Sequence, residues 1–234
     1  MGAVNRTSPA VTSTEQVVLA VDVGGSHIKV LTSEQREPRR AVSGPNLTPQ
    51  RMVTAALASA DGWDWDVVSV GVPAPVHGGR VVTEPANLGK GWVAFDFQAA
   101  FGKPTRVIND AAMQALGSYD GGRMLFLGLG TGLGSTLIVD GIIEPMELAH
   151  LPFKKHTFED YVGEQARQRS KKHWEQNVRQ AVEQLTAALE PDYVVLGGGN
   201  ATRLTQLPPN TRLGNNENAF TGGFRLWNQP TSSG

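Results

Sequence analysis

The 234-residue chain contains no cysteine, which excludes disulfide bonds and thiolate metal sites. It has no run of eighteen apolar residues and no charged-then-apolar leader, so we expect a soluble, cytoplasmic protein without a membrane span or a signal peptide. The formal net charge is −1, and a chain so close to neutrality has no general attraction for nucleic acid. Any polyanion would therefore have to be bound by a local cluster of cations.

Two common phosphate-binding motifs are also missing. No G-x-x-x-x-G-K-[ST] sequence occurs in the chain. A G-x-G-x-x-G match fails in the glycine-rich stretch around Gly130, because Leu133 and Ser135 stand where the third glycine is required. The sequence therefore excludes the Walker-type loop and the dinucleotide-binding fingerprint.

One stretch, Val18 to Thr32, nevertheless has the character of a phosphate site, since two apolar runs flank a Gly-Gly turn. We predict a β-hairpin whose glycines take positive φ and let backbone N–H groups approach an anion. Asp22, at the end of the first strand, is placed to hold Mg²⁺ through a water. An ordinary hairpin with a solvated lysine is the alternative. The candidate phosphate-binding residues are Gly24, Gly25, Ser26 and Lys29.

Two later stretches strengthen this interpretation. Met124 to Gly141 again runs strand, turn, strand, and its turn is rich in glycine and threonine. Asp192 to Leu204 follows a predicted long helix with an apolar strand, three glycines and a predicted helix start that Asn200 or Thr202 could cap. Two facing hairpins and a third glycine turn suggest a clamp for a nucleotide or a polyphosphate. Its candidate residues are Gly130, Thr131, Gly132, Gly197, Gly198, Gly199 and Asn200.

The stretches DVGGSHIK, NDAA, LGTGLGS, ELAH and VVLGGGN, in this order, resemble the motifs of the ROK family of sugar kinases within the actin and hexokinase superfamily. LPFKK, FEDYVG, KKHW and AFTGGFRLW are most similar to its polyphosphate glucokinase subgroup. The resemblance runs from about Val17 to Trp227 and implies an α/β fold of two ribonuclease-H-like (actin-like ATPase) lobes with a cleft between them. We expect lobes at 17–108 and 109–227, a disordered lead at 1–16, a disordered tail at 228–234, and a homodimer.

Asp110 is the residue that we expect to carry the chemistry. It follows a predicted strand in RVINDAAMQALG, where an acidic residue could simply cap the next helix. A carboxylate in hydrogen-bond reach of a sugar hydroxyl could instead remove its proton as the oxygen attacks phosphorus. The resemblance to the ROK kinases favours this second role for Asp110 and makes the neighbouring Asn109 a sugar ligand.

The resemblance also implies the other residues that hold the sugar. A loop asparagine such as Asn87 is usually a turn residue, but it matches the position that donates to sugar hydroxyls. The chain departs from the family pattern at Ala149, where glycine is usual, and it lacks the cysteine-rich zinc motif. We therefore expect no zinc site, although His150 and His156 are present. The implied sugar-binding residues are Asn87, Asn109, Asp110, Glu147, His150 and Glu159.

A run of cations follows this region. Such runs are usually solvated helix faces, but a file of cations leading from the transfer site would hold the tail of a polyphosphate chain. The sequence is compatible with both interpretations, a solvated helix face and a polyphosphate track. The residues of this basic track are Lys154, Lys155, Arg167, Lys171 and Lys172.

These observations predict phosphoryl transfer from polyphosphate, ATP or both, with Mg²⁺, to the 6-hydroxyl of glucose or a close hexose. A strictly ATP-dependent hexokinase for glucose, mannose or glucosamine is the alternative. A sugar-sensing regulator is disfavoured because only sixteen low-complexity residues precede the first phosphate turn. An actin-type ATPase without a sugar is disfavoured by the NDAA and ELAH stretches.

Overall fold

The computed structural model describes residues 16–215 and 217–228. The predicted disordered lead and tail lie almost wholly outside these residues. Among the residues described, no helix combines the length and the apolar character needed to cross a membrane.

The chain alternates strands and helices in an α/β arrangement. The strands are β1 (Val18–Val23), β2 (His27–Thr32), β3 (Arg39–Val42), β4 (Val67–Val72), β5 (Val76–His77), β6 (Arg80–Val81), β7 (Thr105–Asn109), β8 (Arg123–Leu129), β9 (Leu133–Val139), β10 (Ile142–Met146), β11 (Pro152–Phe153), β12 (His156–Thr157), β13 (Tyr193–Gly197) and β14 (Thr211–Leu213). The helices are α1 (Pro49–Ser59), α2 (Phe97–Phe101), α3 (Asp110–Ser118), α4 (Phe158–Val162), α5 (Glu164–Arg169), α6 (Lys171–Leu189) and α7 (Asn218–Arg225).

Two five-stranded sheets organise the fold, and both follow the same plan. The first has the order β3-β2-β1-β4-β7 and the second the order β10-β9-β8-β13-β14. In each sheet three strands form an antiparallel meander, which is β3-β2-β1 in the first sheet and β10-β9-β8 in the second. Two parallel strands continue each sheet, β4 and β7 from β1, and β13 and β14 from β8. Every residue of β1 and β4 is buried, which explains their continuous apolar sequences, because central strands are covered on both faces.

Alternate residues of the central strands contribute to different cores. In the first sheet Leu19 packs in a cluster with Met52 of α1, whereas Ala20 packs with Phe220 of α7. In the second sheet Leu125 packs in a cluster with Val178 of α6, and a separate cluster combines residues of β8 with residues of α3. Helices α3 and α7 therefore lie on the faces of the two sheets that α1 and α6 leave uncovered.

Helices α3 and α7 also pack directly on each other. Their backbones approach so closely at Gly117 and Gly222 that a Cβ on either glycine would collide with the backbone of the other helix. Arg225 strengthens this contact because its Nη1 donates to the carbonyls of Leu116 and Tyr119 at 3.0 and 2.9 Å. Carbonyls at the end of a helix lack their full set of intrahelical partners, so α7 supplies a donor to the C-terminal end of the helix on which it packs.

The element predictions agree with the structure at most positions. Both predicted glycine-turn hairpins form, and the predicted long helix is α6. One prediction was wrong, because the glycine turn after β13 leads to a short 3₁₀ turn, Ala201–Arg203, rather than to a full helix. Strand β14 was not predicted.

Candidate active site

A cavity of about 420 Å³ brings together loops from the ends of strands in both sheets. Eleven of the predicted site residues form part of its wall, although they are spread over more than 170 positions of the sequence. These residues are Gly25, Asn87, Asn109, Asp110, Gly130, Thr131, Gly132, Glu147, His150, Glu159 and Gly198. The wall does not include the other predicted phosphate ligands or any residue of the basic track.

The first turn joins β1 to β2 at the edge of this cavity. The N–H of Gly24 donates to the carbonyl of His27 at 2.9 Å. The prediction that Gly24 and Gly25 take positive φ was wrong, because neither does. The tight turn instead limits space: a Cβ on Gly24 would lie 3.2 Å from the carbonyl oxygen of His27, whereas at Gly25 it would meet nothing.

Asp22 and Lys29 stand opposite each other on this hairpin. The Lys29 ammonium donates to Oδ2 of Asp22 at 3.2 Å, and the Asp22 side chain is only 9% exposed. The lysine thus neutralises a nearly buried carboxylate. The Lys29 side chain is still 29% exposed, so it can also reach an anion bound at the turn.

The second turn, between β8 and β9, is crowded by the segment that leads into α5. A Cβ on Gly132 would lie 2.5 Å from Oε2 of Glu159, and one on Gly163 would lie 2.7 Å from the carbonyl oxygen of Thr131. The N–H of Glu164 donates to the same oxygen at 3.2 Å. A side chain at position 132 would have to displace the Glu159 carboxylate, whereas one at position 163 would collide with backbone. The φ of Gly132 is not positive.

The third turn, after β13, is fastened to the second. Gly198 has φ of 81° and packs against the backbone of Leu129. The N–H of Asn200 donates to Leu129 at 3.0 Å, and its side-chain amide donates to the carbonyl of Gly130 at 3.2 Å. The suggestion that Asn200 caps a helix was wrong, because this side chain makes no capping bond and instead ties two glycine turns together.

Helix α3 presents Asp110 to the cavity. The cap of this helix is Asn109, whose Oδ1 accepts from the N–H groups of Ala111 and Ala112 at 3.0 and 3.1 Å. Its Nδ2 donates to the carbonyl of Ala74 at 3.2 Å. The capping alternative for Asp110 was therefore wrong, and its carboxylate accepts the N–H of Ala111 at 2.9 Å.

The position of Asp110 changes its acidity. Burial, and to a smaller extent the negative charge of Asp22, raise the pKa of its carboxyl to about 7. The hydrogen bond from Ala111 acts against this shift but is a smaller influence. A carboxyl with a pKa near neutrality can exchange a proton with a bound hydroxyl more readily than an ordinary aspartate.

The opposite wall carries the residues expected to bind a sugar. Glu147 and His150 lie in the segment after β10, and Glu159 lies in the first turn of α4. Nδ1 of His150 is 3.5 Å from Oε1 of Glu159, and the two side chains are 69% and 38% exposed. They are thus accessible to a ligand that offers paired hydroxyl groups. Among the described residues, no group of three His, Asp or Glu side chains is arranged to hold a metal ion.

Two residues of this region were missed in the sequence. Glu84 organises the loop that carries Asn87, because its carboxylate accepts the N–H groups of Gly91, Trp92 and Val93 at 3.2, 3.1 and 3.5 Å. These bonds, that of Trp92 foremost, lower the pKa of Glu84. No sequence signal marks this role.

Gln114, the second missed residue, also forms part of the cavity wall. It lies four positions after Asp110, and residues at this spacing share a face of a helix. The position of Asp110 at the start of a helix therefore contained the signal that could have identified it.

The residues of the basic track have different surroundings. Lys154 donates to Oδ1 of the buried Asn177 and lies over the rings of Phe153 and Tyr161. Lys171 is 3.6 Å from the carboxylate of Glu175.

Three further cations belong to this region. Arg167 pairs with Glu164 at 2.6 Å. In the described part of the chain no ion pair involves Lys155 or Lys172. The track therefore contains both neutralised and unneutralised cations.

Comparisons with known proteins identify relatives in sequence and in fold. A polyphosphate glucokinase of Mycobacterium tuberculosis is 26% identical over 224 residues, a match that covers 84% of this chain and 83% of that protein. The inorganic polyphosphate/ATP-glucomannokinase of Arthrobacter sp. strain KM superposes with a TM-score of 0.76 at 25% identity and covers 90% of this chain and 98% of its own. A ROK family glucokinase from Streptomyces griseus in complex with glucose and AMPPNP shares the fold, with a TM-score of 0.68, 18% identity, and coverage of 90% and 98%. No protein-family model matches the chain.

Proposed function

Because this chain is related in sequence and fold to the ROK-family sugar kinases and resembles their polyphosphate glucokinases, we propose that it transfers a phosphoryl group from polyphosphate, ATP or both to the 6-hydroxyl of glucose or a close hexose. The observation that carries this proposal is the shared cavity. Asp110, the sugar-side residues and two glycine turns all contribute to its wall. An acceptor hydroxyl and a donor phosphate could therefore meet next to one carboxylate.

Asp110 is the general base of the proposed reaction. As the hydroxyl oxygen attacks the terminal phosphorus, its proton passes to the Asp110 carboxylate, the new P–O ester bond forms, and the bridging P–O bond of the donor breaks. The leaving group is a polyphosphate shortened by one unit, or ADP. Asp110 then returns the proton to water.

The donor's phosphates would be held by the glycine turns and their neighbouring side chains. Phosphoryl transfer depends chiefly on positioning and on neutralising charge. The backbone of the turns and Lys29 would supply both. Gly24, Gly25, Ser26, Gly130, Thr131 and Gly132 complete this set, with Gly197, Gly198, Gly199 and Asn200 at the donor's far end.

The same end of the cavity suits Mg²⁺. Asp22 and Asp110 repel each other strongly enough to raise the pKa of Asp110, and Lys29 supplies a single compensating positive charge. A hydrated divalent cation fits such an excess of carboxylate. Asp22 would hold it through a water, and the ion would neutralise charge on the transferred group.

The sugar would be held by the opposite wall. Amide, carboxylate and imidazole groups suited to paired hydroxyls are provided by Asn87, Glu147, His150 and Glu159. Asn109 caps α3, so it would contact the sugar beside the start of that helix.

The two lobes of the proposed kinase are residues 17–108 and 109–227, and the protein would act as a homodimer. The basic track would guide a polyphosphate tail, with Lys155, Lys171 and Lys172 best placed by their exposure.

A strictly ATP-dependent hexokinase is the second candidate, and a specific observation favours it. Lys154 and Arg167 are engaged by Asn177 and Glu164 within the protein. The track would then hold a polyanion less firmly than its sequence suggests, and ATP would be the main donor.

The test is formation of glucose 6-phosphate by the purified chain with Mg²⁺, with polyphosphate and ATP assayed in parallel. Asp110→Asn should retain sugar binding and lose nearly all turnover with both donors. Asp64→Asn, on an exposed carboxylate, is the matched control and should retain full activity. Full activity of Asp110→Asn would exclude the general-base role, and no sugar-dependent turnover with either donor would exclude the kinase.

A further inference from the structure

The backbone of Glu164 lies directly against the second glycine turn and so anchors a carboxylate beside it. Glu164 is the first residue of α5, and its N–H donates to the carbonyl of Thr131 at 3.2 Å. The preceding Gly163 is packed against the same carbonyl. This contact fixes the start of α5 to the turn, while the Glu164 side chain stays 29% exposed. A solute bound at the turn therefore has a carboxylate close by.

Two side chains hold this carboxylate in one orientation. Nε and Nη2 of Arg167 donate to it at 2.8 and 2.6 Å, and Nε2 of Gln168 donates at 2.8 Å. These bonds, that of Arg167 first, lower the pKa of Glu164 to about 2, and Asn200 contributes to a smaller extent. The group is thus ionised at every pH at which the protein would be assayed. Asn200 also belongs to the third glycine turn, so Glu164 lies between the two turns.

The pair changes the electrostatic character of the basic track. Arg167 is the track residue nearest in sequence to Glu164, which balances its charge. A phosphate chain leaving the turn along α5 would first meet a neutral pair that includes a carboxylate. The next cations are Arg169, in the last turn of α5, and Lys171 and Lys172 at the start of α6.

The two donor classes differ in what they would place beside Glu164. Polyphosphate carries negative charge on every unit, so a longer chain continues to be repelled by a fixed carboxylate. Beyond its three phosphates ATP carries a neutral nucleoside, whose ribose hydroxyls can donate hydrogen bonds to a carboxylate. We propose that Glu164 is a donor-specificity residue that disfavours polyphosphate relative to ATP. This inference rests on the proposed function, because it requires the Thr131 turn to hold the donor.

Glu164→Gln tests the proposal because it removes the charge and keeps the size of the side chain. The kcat/KM with polyphosphate should rise about fivefold relative to that with ATP, which is the effect of one unit charge at about 4 Å in water. The KM for glucose should not change. Because the effect is electrostatic, it should shrink when salt is raised from about 0.05 to 0.5 M.

Glu183→Gln is the matched control, since it makes the same change in net charge at an exposed position of α6. Glu183 lies twelve residues after Lys171, about 18 Å along the helix at 1.5 Å per residue. The control should leave the donor ratio at its wild-type value. An equal rise in both variants would indicate a general charge effect and overturn the proposal.

A purely structural role for Glu164 predicts another pattern. If the residue only held the turn in place, Glu164→Gln would weaken both donors equally and lower the melting temperature, with no change in their ratio. The double variant Glu164→Gln/Arg167→Gln separates the two sources of the expected gain. Loss of the polyphosphate gain in this variant would assign it to release of Arg167, and its persistence would assign it to removal of repulsion.

Binding is measured beside turnover so that failure of the proposed function can be recognised separately. Calorimetry with tripolyphosphate and with a non-hydrolysable ATP analogue gives the affinity ratio without any chemical step. An inactive protein whose polyphosphate affinity rises in Glu164→Gln would overturn the kinase and support the donor-specificity role. An unchanged ratio in both binding and turnover would overturn the role of Glu164.

Discussion

Replacing Asp110 with asparagine should make the protein more stable as well as inactive, and the gain should depend on pH. The native carboxyl has its pKa raised from 3.8 to about 7, whereas the unfolded chain has an ordinary value. Between these values the native state holds a proton that the unfolded state has lost. Raising the pH therefore favours the unfolded state, and the Asp110 contribution to stability falls.

The size of this effect follows from proton linkage. Each pH unit between about 4 and 7 should reduce the free energy of unfolding of the wild type by about 1.4 kcal/mol relative to Asp110→Asn. From pH 5 to pH 8 the difference should grow by about 2 to 3 kcal/mol, or roughly 5 to 10 °C in melting temperature for a chain of this size. Above pH 8 the difference should be constant, because both states of the wild type are then ionised.

The assay is thermal unfolding of both proteins at pH 5, 6, 7 and 8, without Mg²⁺ or substrates. Chelator is needed because a cation near Asp22 would offset the repulsion that raises the pKa. Asp64→Asn should follow the wild type at every pH. A melting difference between wild type and Asp110→Asn that stays the same from pH 5 to pH 8 would refute the assignment of a raised pKa to Asp110.

The remaining predictions concern the helix contact, the Asn87 loop and the cations. Gly222→Ala should lower the free energy of unfolding by about 1 to 3 kcal/mol in urea titrations. Gly199→Ala, whose Cβ would meet nothing, should leave the free energy of unfolding unchanged. Equal stability of the two variants would contradict the close crossing of α3 and α7. Glu84→Gln should raise the KM for the sugar severalfold with little change in kcat, and an unchanged KM would show that the loop orders itself. Lys171→Ala/Lys172→Ala should raise the KM for polyphosphate more than that for ATP, and the difference should decrease at high salt. Equal KM changes would show that these lysines are solvated side chains without a role in binding polyphosphate.

The sequence predicted the parts of the fold that depend on local patterns. Continuous apolar runs identified the central strands, and the spacing of apolar residues identified α1 and α6. The short strand β14 was missed because its three residues, Thr211–Leu213, are not fully buried and carry no apolar pattern. It exists because β13 offers a parallel edge, which no local signal reveals.

Eleven of the predicted site residues share one cavity wall, whereas the other predicted phosphate ligands and the basic track do not form part of it. Glycine was expected at positions 24 and 25 for its backbone freedom, whereas the structure packs Gly163 against the backbone of Thr131. Such crowding depends on segments distant in sequence. The position of Glu164 in a basic run likewise gave no sign of its role, which depends on its contacts with Thr131 and Arg167.

The placement of α7 has a consequence for how the protein is made. Strand β1 is among the first described residues, yet Ala20 is covered by Phe220, and Oγ of Ser69 in β4 donates to the carbonyl of Gly223 at 2.6 Å. During synthesis this face of the first sheet stays without its cover until some two hundred further residues have been added. A ribosome stalled before α7 would display an apolar surface to chaperones and proteases, because the helix that covers this face has not yet been made.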